Sequence, residues 1–179
     1  MKKLLYGSLV ALCMVATSAS ADFYVGAGYG GAFNSGSVRE HGVSSAYKDT
    51  PIYSLSGGII MPIPLFDFRA EAEYLHIRPN TEKLGKKQLD AVMLNASAVI
   101  PFIPLIDPYV GFGIGYGRYD YTNTSAWQYL MGLEYSFETI PFVIGAEYRY
   151  FKLTDDCGKH SDKSKYHNNA LMLKLKFVF

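Results

Sequence analysis

Apolar and polar residues alternate along most of the chain that follows residue 21. In residues 22–33 the odd positions carry mostly bulky apolar side chains and the even positions mostly Gly, and in 171–179 every odd position is Leu or Phe. A period of two residues is typical of a β-strand with two different faces, not of a helix. The pattern predicts eight strands near the ~9–11 residues that a tilted membrane strand needs, over residues 22–33, 51–61, 67–78, 90–101, 108–118, 127–137, 142–152 and 169–179.

The connections between these segments alternate between short and long. The three short connections contain Pro. The four long connections contain Gly, Ser, Asn, Thr and most of the charged residues that do not follow the alternating pattern of the strands. Short turns at one end and longer loops at the other are typical of outer-membrane barrels. We therefore expect an all-β fold, an eight-stranded antiparallel up-and-down transmembrane β-barrel, with its termini and short turns in the periplasm. The short connections are 62–67, 101–107 and 138–141, and the long ones are 34–50, 79–89, 119–126 and 153–168.

The first 21 residues have the three parts of a secretory signal peptide. Two Lys residues follow the initial Met, residues 4–16 form an apolar run, and Ala19-Ser20-Ala21 gives the small-x-small pattern of a cleavage site. We expect residues 1–21 to be a cleaved signal peptide and residues 22–179 to be the barrel domain. An uncleaved anchor is disfavoured because a bilayer needs ~20 apolar residues. A lipoprotein acylated at Cys13 is disfavoured because Leu precedes that Cys where a small residue is wanted.

Composition excludes several other classes. Lys and Arg number 17 and Asp and Glu number 16, so removal of the two signal-peptide lysines leaves a net charge of −1, which does not suit a nucleic-acid binder. Charged residues make up only 18% of the chain and aromatic residues 15%. Beyond residue 21 no apolar stretch approaches ~18 residues, so the exported chain either is soluble or crosses a membrane as strands.

The charged residues that follow the alternation predict the content of the barrel. An Arg or Lys on the lipid face near the midplane costs ~2–4 kcal/mol, so these charges must point inward, where Gly residues leave room for them. A soluble β-sandwich would point them to water instead. Four cations balance four anions, which favours a structural ion-pair network over a gated ion path in a narrow interior filled by side chains. The expected network consists of Arg69, Glu71, Glu73, Glu134, Glu147, Arg149, Lys174 and Lys176.

Several segments resemble one family. DFYVGAGYGGAF at residues 22–33 is similar to the first strand of the opacity-protein-like outer-membrane barrels, which are related in shape to the transmembrane domain of OmpA. FRAEAEY, PYVGFGIGYG and GAEYRY resemble later strands of that family, and LMLKLKFVF resembles the C-terminal signal of outer-membrane barrels. Together these motifs cover nearly all of residues 22–179.

The resemblance carries expectations about location and partners. It implies a Gram-negative outer-membrane protein whose C-terminal residues Leu175, Phe177 and Phe179 are recognised by the barrel assembly machinery. It also implies a surface antigen or adhesin with a host surface ligand. The loops of the family vary so much that no binding residue transfers to this chain.

Aromatic residues near strand ends are expected to form the two girdles at the membrane interfaces. Binding of a hydrophobic ligand is the disfavoured alternative. The candidates are Phe23, Tyr53, Phe68, Tyr109, Tyr116, Trp127, Tyr148, Phe177 and Phe179.

Two long loops carry clusters of lysines that could meet the phosphates of lipopolysaccharide at the outer rim. Ordinary solvated loop charge is the alternative. Cys157 and His160, with His167, have a spacing that could hold Zn²⁺, but a single Cys with scattered His in a loop is more often no site, so no metal and no cofactor is expected. The candidate lipopolysaccharide contacts are Lys83, Lys86, Lys87, Lys159, Lys163 and Lys165.

The sequence does not predict an enzyme. Lipid A acyltransferases and deacylases include small barrels, but they need a nucleophile, a base and an orienting acid within reach of one another. His41, His160 and His167 fall in predicted loops, and His76 lies near the outer end of a strand with no strand Ser in an HxS pattern. We expect an outer-membrane surface protein that displays its extracellular loops. Adhesion to host or other surfaces is one role that these loops could have. A lipid A-modifying enzyme and a narrow porin-like channel are the alternatives.

Overall fold

The computed structural model describes residues 21–33, 38–40, 43–45, 50–78, 88–100, 106–119, 122–137, 139–154 and 167–179. Within these residues the chain is all β. The strands are β1 Asp22–Phe33, β2 Val38–Glu40, β3 Val43–Ser45, β4 Thr50–Ile63, β5 Phe66–Ile77, β6 Leu89–Val99, β7 Ile106–Tyr119, β8 Thr122–Ser136, β9 Phe142–Thr154 and β10 His167–Val178. No helix in the described part of the chain is long and apolar enough to cross a membrane.

Eight of the described strands form one closed antiparallel barrel in the order β1-β10-β9-β8-β7-β6-β5-β4, and β2 pairs with β3 outside it. Consecutive strands of the barrel are neighbours, and the barrel closes where β1 pairs with β10. There Phe23 N donates to Phe179 O at 3.1 Å and Phe179 N donates to Phe23 O at 2.8 Å, which extends the closing ladder to residue 179. Closure leaves no unpaired barrel edge. The predicted eight-stranded up-and-down barrel is confirmed.

The two faces of each strand differ as the alternation predicts. In β10, Leu173 is 69% exposed on the outer surface, whereas its neighbour Met172 is 1% exposed and points inward. Apolar side chains cover the outer surface on every barrel strand. Such a surface would be unstable in water and is stable in a bilayer.

One predicted loop is wrong. Residues 119–126 were expected to connect two strands, but β8 begins at Thr122 and its first residues pair with the end of β7, as Thr124 does with Gly117 and Ser125 with Tyr116. The polar side chains of Asn123 and Ser125 do not break the strand because they lie at its end, beyond the apolar part of the outer surface. Other strands differ from the predicted bounds by three residues or fewer at each end.

Candidate functional site

The interior of the barrel is filled in two layers. We call the end that holds Asp22, Val178 and the short connections the turn end, and the opposite end the loop end. Buried charged residues occupy the layer nearer the turn end, and a cluster of apolar side chains occupies the layer nearer the loop end. Each layer is built from inward-facing residues of several strands.

The first charged cluster lies closest to the turn end. Arg69 makes a two-pronged ion pair with Glu134, with nitrogen–oxygen distances of 3.0 and 2.6 Å. Lys176 Nζ also contacts Glu134, at 2.5 Å. The rings of Tyr24 and Tyr109 lie beside both cations, with Arg69 Cζ at 5.6 and 5.2 Å from the two ring centroids and Lys176 Nζ at 5.0 and 5.5 Å. The tyrosines thus replace water around the cations.

The second charged cluster lies at mid-height. Arg149 Nη2 donates to Glu73 Oε1 at 2.7 Å and to Glu147 Oε1 at 2.5 Å. Lys174 Nζ donates to Glu73 Oε1 at 2.9 Å and lies 3.7 Å from Glu71 Oε1. Arg149 and Glu73 are each only 1% exposed. Charges buried this deeply are tolerated because each has an opposite charge and hydrogen bonds beside it.

Neutral side chains join the two clusters. Tyr24 donates its hydroxyl hydrogen to Glu71 Oε2, and Tyr109 donates to Glu147 Oε2, each at 2.7 Å. Asn95 Nδ2 lies 2.9 Å from Glu71 Oε1 and 2.9 Å from Glu73 Oε2. The tyrosines therefore contact the cations of the first cluster with their rings and the carboxylates of the second with their hydroxyls. Together these contacts make one continuous polar network.

The apolar layer closes the interior towards the loop end. Its residues come from all eight barrel strands except β7, and most are less than 2% exposed. A layer of this kind excludes water and bare ions from the space above the charges. Its members are Ala32, Ile52, Leu75, Ile77, Leu89, Ala91, Met93, Ala126, Phe151, Leu153, Ala170 and Met172.

The structure brings together all eight charged residues that the sequence nominated. Each is buried in the interior and each forms an ion pair within 4 Å with another member of the set. Four neutral members, Tyr24, Asn95, Tyr109 and Gln128, were not included. The even–odd alternation could have found them, because each occupies an inward position on its strand.

Tyr109 corrects a prediction. It was a candidate for the aromatic girdle, but it is 3% exposed and lies inside the barrel, because its neighbour Val110 faces outward. The other candidates lie on the outer wall. At the turn end, Phe23 stacks on Phe179 with 6.4 Å between ring centroids, and Phe142 and Phe177 are 5.3 Å apart.

A smaller polar cluster lies on the outer wall at the loop end. Tyr74 donates its hydroxyl hydrogen to Asp90 Oδ1 at 2.7 Å, and His76 Nδ1 lies 2.6 Å from the same oxygen. Arg78 Nε donates to His76 Nε2 at 2.9 Å. Because Nε2 accepts this bond, the proton of the neutral imidazole resides on Nδ1 and is donated to Asp90. We call these four residues the rim cluster.

The loop residues nominated from the sequence lie outside the described residues. They are Lys83, Lys86, Lys87, Cys157, Lys159, His160, Lys163 and Lys165. His167 is described, and its ring centroid is 6.3 Å from that of Tyr150. Among the described residues no group of three or more His, Cys, Asp or Glu could hold a metal ion.

Comparison with known families agrees with this architecture. A model of the outer membrane protein beta-barrel domain matches residues 7–179. The chain belongs to this family. Members reside in the outer membrane, where barrels direct their short turns to the periplasm. The resemblance inferred from the sequence is confirmed at the level of the family.

Solved structures share the fold at low sequence identity. Neisserial surface protein A (NspA) is similar with a TM-score of 0.65 and 17% identity, over 88% of this chain and 97% of that one. Ail, the attachment invasion locus protein of Yersinia pestis, gives 0.54 and 18%, over 89% and 99%. The outer membrane enzyme PagL gives 0.55 and 12%, over 84% and 97%. No curated protein matches the sequence.

Proposed function

We propose that this protein is an outer-membrane surface barrel that serves as a structural scaffold and displays its extracellular loops, with adhesion to host or other surfaces as the role of the loops. The observation that carries the proposal is the filled interior. A barrel whose lumen holds a paired charge network beneath an apolar layer is suited to holding loops in place and not to transport.

The same observation argues against the narrow channel. An ion entering from the loop end would have to displace the apolar layer around Phe151 and Leu75, both 0% exposed. It would then have to separate pairs such as Arg149–Glu73 and Arg69–Glu134. Removing one partner of a buried pair costs about 3–5 kcal/mol. A path with such barriers does not conduct at a useful rate.

The rim cluster bears on the enzyme alternative. Asp90 and His76 form the carboxylate–imidazole pair that a hydrolase uses to activate a nucleophile. The imidazole nitrogen that would act as the base, Nε2, is instead occupied by Arg78 Nε–H. Within the described residues no Ser, Thr or Cys is bonded to His76, and the similarity to PagL is one of fold. We therefore propose that the protein is not a hydrolase.

Adhesion is proposed from the class of protein that shares the barrel. NspA is named as a surface protein and Ail as an attachment protein, and Ail has been solved in complex with the heparin analogue sucrose octasulfate. We extend an adhesive role from those proteins to this one, through its own loops. The same proposal includes three further points. The lysines of the loops contact lipopolysaccharide, the signal peptide is cleaved after Ala21, and the assembly machinery recognises Phe179.

The decisive experiment combines conductance with binding. The chain from Asp22 to Phe179 is refolded in detergent, its barrel is checked by heat-modifiable gel mobility, and it is reconstituted in planar bilayers. We expect no discrete channels, together with saturable binding of the barrel to host cells or to immobilised heparin. Stable channels of large conductance would overturn the scaffold. Hydrolysis of lipid A that is lost in His76→Ala would establish the enzyme instead.

A further inference from the structure

The rim cluster joins the two ends of one connection between barrel strands. Arg78 directly follows β5 and Asp90 is the second residue of β6, so the chain between them connects these two strands. His76 bridges the two ends, because its Nδ1 lies 2.6 Å from Asp90 Oδ1 and its Nε2 accepts from Arg78 Nε at 2.9 Å. The two nitrogens of one imidazole ring therefore hold both ends of the connection.

The contact between the ring and Asp90 is the one that survives a gain of positive charge. The Asp90 oxygen that contacts His76 Nδ1 also accepts a hydrogen bond from the Tyr74 hydroxyl at 2.7 Å, which fixes this carboxylate. The ring centroid of Tyr53, on the neighbouring strand β4, lies 6.4 Å from that of His76. Because a carboxylate binds a charged donor more strongly than a neutral one, protonation of the ring strengthens its bond to Asp90.

The contact between the ring and Arg78 is the one that a proton breaks. Nε2 accepts the Arg78 hydrogen with a lone pair that exists only while the imidazole is neutral. Once Nε2 carries a proton, two donors and two positive charges face each other across the same 2.9 Å. The backbone of Arg78 need not move, because its N–H donates separately to Pro51 O at 3.2 Å. Protonation therefore displaces the guanidinium and leaves the strand pairing intact.

The titratable and charged groups around the ring come from four strands. They are Tyr53 on β4, Tyr74 on β5, Arg78 at the end of β5, Asp90 on β6 and, opposite Asp90 in the register, Arg118 on β7. Tyrosine hydroxyls stay neutral below about pH 8. Asp90 favours the charged ring, whereas Arg78 opposes it for as long as it is bonded to Nε2. The opposing cation that is bonded to the ring is thus the group that protonation removes.

We propose that the rim cluster is a pH-sensitive switch, in which protonation of His76 releases the Arg78 side chain while the ring stays on Asp90. Imidazole is the side chain that ordinarily changes charge between about pH 5 and 8. The summed charge of the four residues then rises from zero to +1, since Arg78 and Asp90 cancel while the ring is neutral. Acid thus detaches an arginine at the start of the connection between β5 and β6. The inference rests on this geometry and is independent of the proposed adhesive role.

Nuclear magnetic resonance of the refolded, nitrogen-15-labelled chain from Asp22 to Phe179 in detergent micelles tests both steps. The imidazole nitrogen shifts report the charge and tautomer of His76, and a coupling across the bond from Arg78 Nε to His76 Nε2 reports that bond. At about pH 8 we expect a neutral ring protonated at Nδ1 and a detectable coupling. At about pH 5 we expect a charged ring, no coupling, and exchange of the Arg78 Nε hydrogen that is about tenfold faster relative to free arginine.

Matched variants assign the release to His76. His76→Gln keeps an acceptor for Arg78 and a donor for Asp90 without a titrating ring, so Arg78 should stay bonded at both pH values. His167→Gln removes the other histidine among the described residues and should leave the release unchanged. Arg78→Met removes the charge and the donor. It should move the protonation equilibrium of His76 towards the imidazolium by about fivefold, because two linked events affect each other equally.

Three results would overturn the proposal. The first is a charged His76 ring at the lower pH with the Arg78 Nε hydrogen as well protected as at the higher pH. The second is a ring that stays neutral throughout this range. The third is a release in His76→Gln as large as in the wild type, which would assign the effect to another group. Each variant is first checked for heat-modifiable mobility at both pH values, so that only folded barrels are compared.

Discussion

The rings of Tyr24 and Tyr109 each lie against a glycine that is opposite the tyrosine on the neighbouring strand. A Cβ on Gly58 would lie 2.8 Å from the Tyr24 ring, and a Cβ on Gly132 would lie 2.6 Å from the Tyr109 ring. These glycines let each ring lie flat against the backbone, where its hydroxyl reaches a carboxylate and its face meets Arg69. The sequence indicates that inward glycines make room, but it does not indicate that the room is taken by tyrosine rings.

A prediction at this scale compares two glycines. Gly132→Ala should lower the free energy of unfolding by about 1–3 kcal/mol, because its Cβ would also lie 2.6 Å from the backbone oxygen of Ala146, which cannot move freely. Gly31→Ala meets nothing within 4 Å and should leave stability unchanged or raise it by about 0.4–1 kcal/mol. Urea unfolding in detergent micelles, followed by tryptophan fluorescence, measures both. Equal losses in the two variants would contradict the packing argument.

At the scale of the element, strand ends follow rules different from those of strand centres. The alternation located all eight barrel strands, because each buries one face in the lumen and exposes the other to lipid. It failed at the beginning of β8, where Asn123 and Ser125 face outward. Beyond the apolar belt the outer face meets headgroups and water, so the polar–apolar contrast that reveals a strand disappears while its hydrogen bonds continue.

The register of this strand end can be tested by cross-linking. In a Cys157→Ser background, Tyr116→Cys/Ser125→Cys should form a disulfide readily, since the two residues are opposite each other in β7 and β8. Tyr116→Cys/Asn123→Cys places the thiols diagonally, about 7–8 Å apart at the backbone, and should react more slowly. Oxidation rates are measured on folded barrels by gel shift. Equal rates would indicate a mobile loop in place of the strand.

At the scale of the whole molecule, the charge network joins strands that are not neighbours in the wall. Arg149 on β9 contacts Glu73 on β5, which is four strands away around the barrel, and Arg69 on β5 contacts Glu134 on β8, which is three strands away. These contacts cross the lumen and tie opposite sides together. The apolar layer above them adds packing without charge. The charge network therefore stabilises the barrel across the lumen, and the apolar layer keeps the lumen closed towards the loop end.

A single substitution separates a structural network from an ion path. Arg149→Ala removes one of the two cations beside Glu73 and Glu147 and leaves Lys174, at 2.9 and 3.5 Å, as the only cation within the described residues for both carboxylates, so the free energy of unfolding should fall by about 3–5 kcal/mol. Conductance in planar bilayers should stay at background, because the apolar layer remains in place. Lys152→Ala removes one positive charge from the outward face of the same strand and serves as the charge-matched control; it should leave conductance unchanged and lower the free energy of unfolding by about 1 kcal/mol at most, through loss of the contact with the Trp127 ring. A large rise in single-channel conductance in Arg149→Ala would refute the structural role.

The sequence by itself determined the class of fold, the number of barrel strands and the identity of the inward charges. Each of these follows from a local rule: side chains alternate across a strand, and a charge facing lipid is costly. Which charges pair was decided only by the tertiary structure, because Arg149 and Glu73 are 76 residues apart in the chain and meet through barrel closure. The same holds for the ring positions of Tyr24 and Tyr109 and for the rim cluster, whose geometry depends on strand register and not on any local pattern.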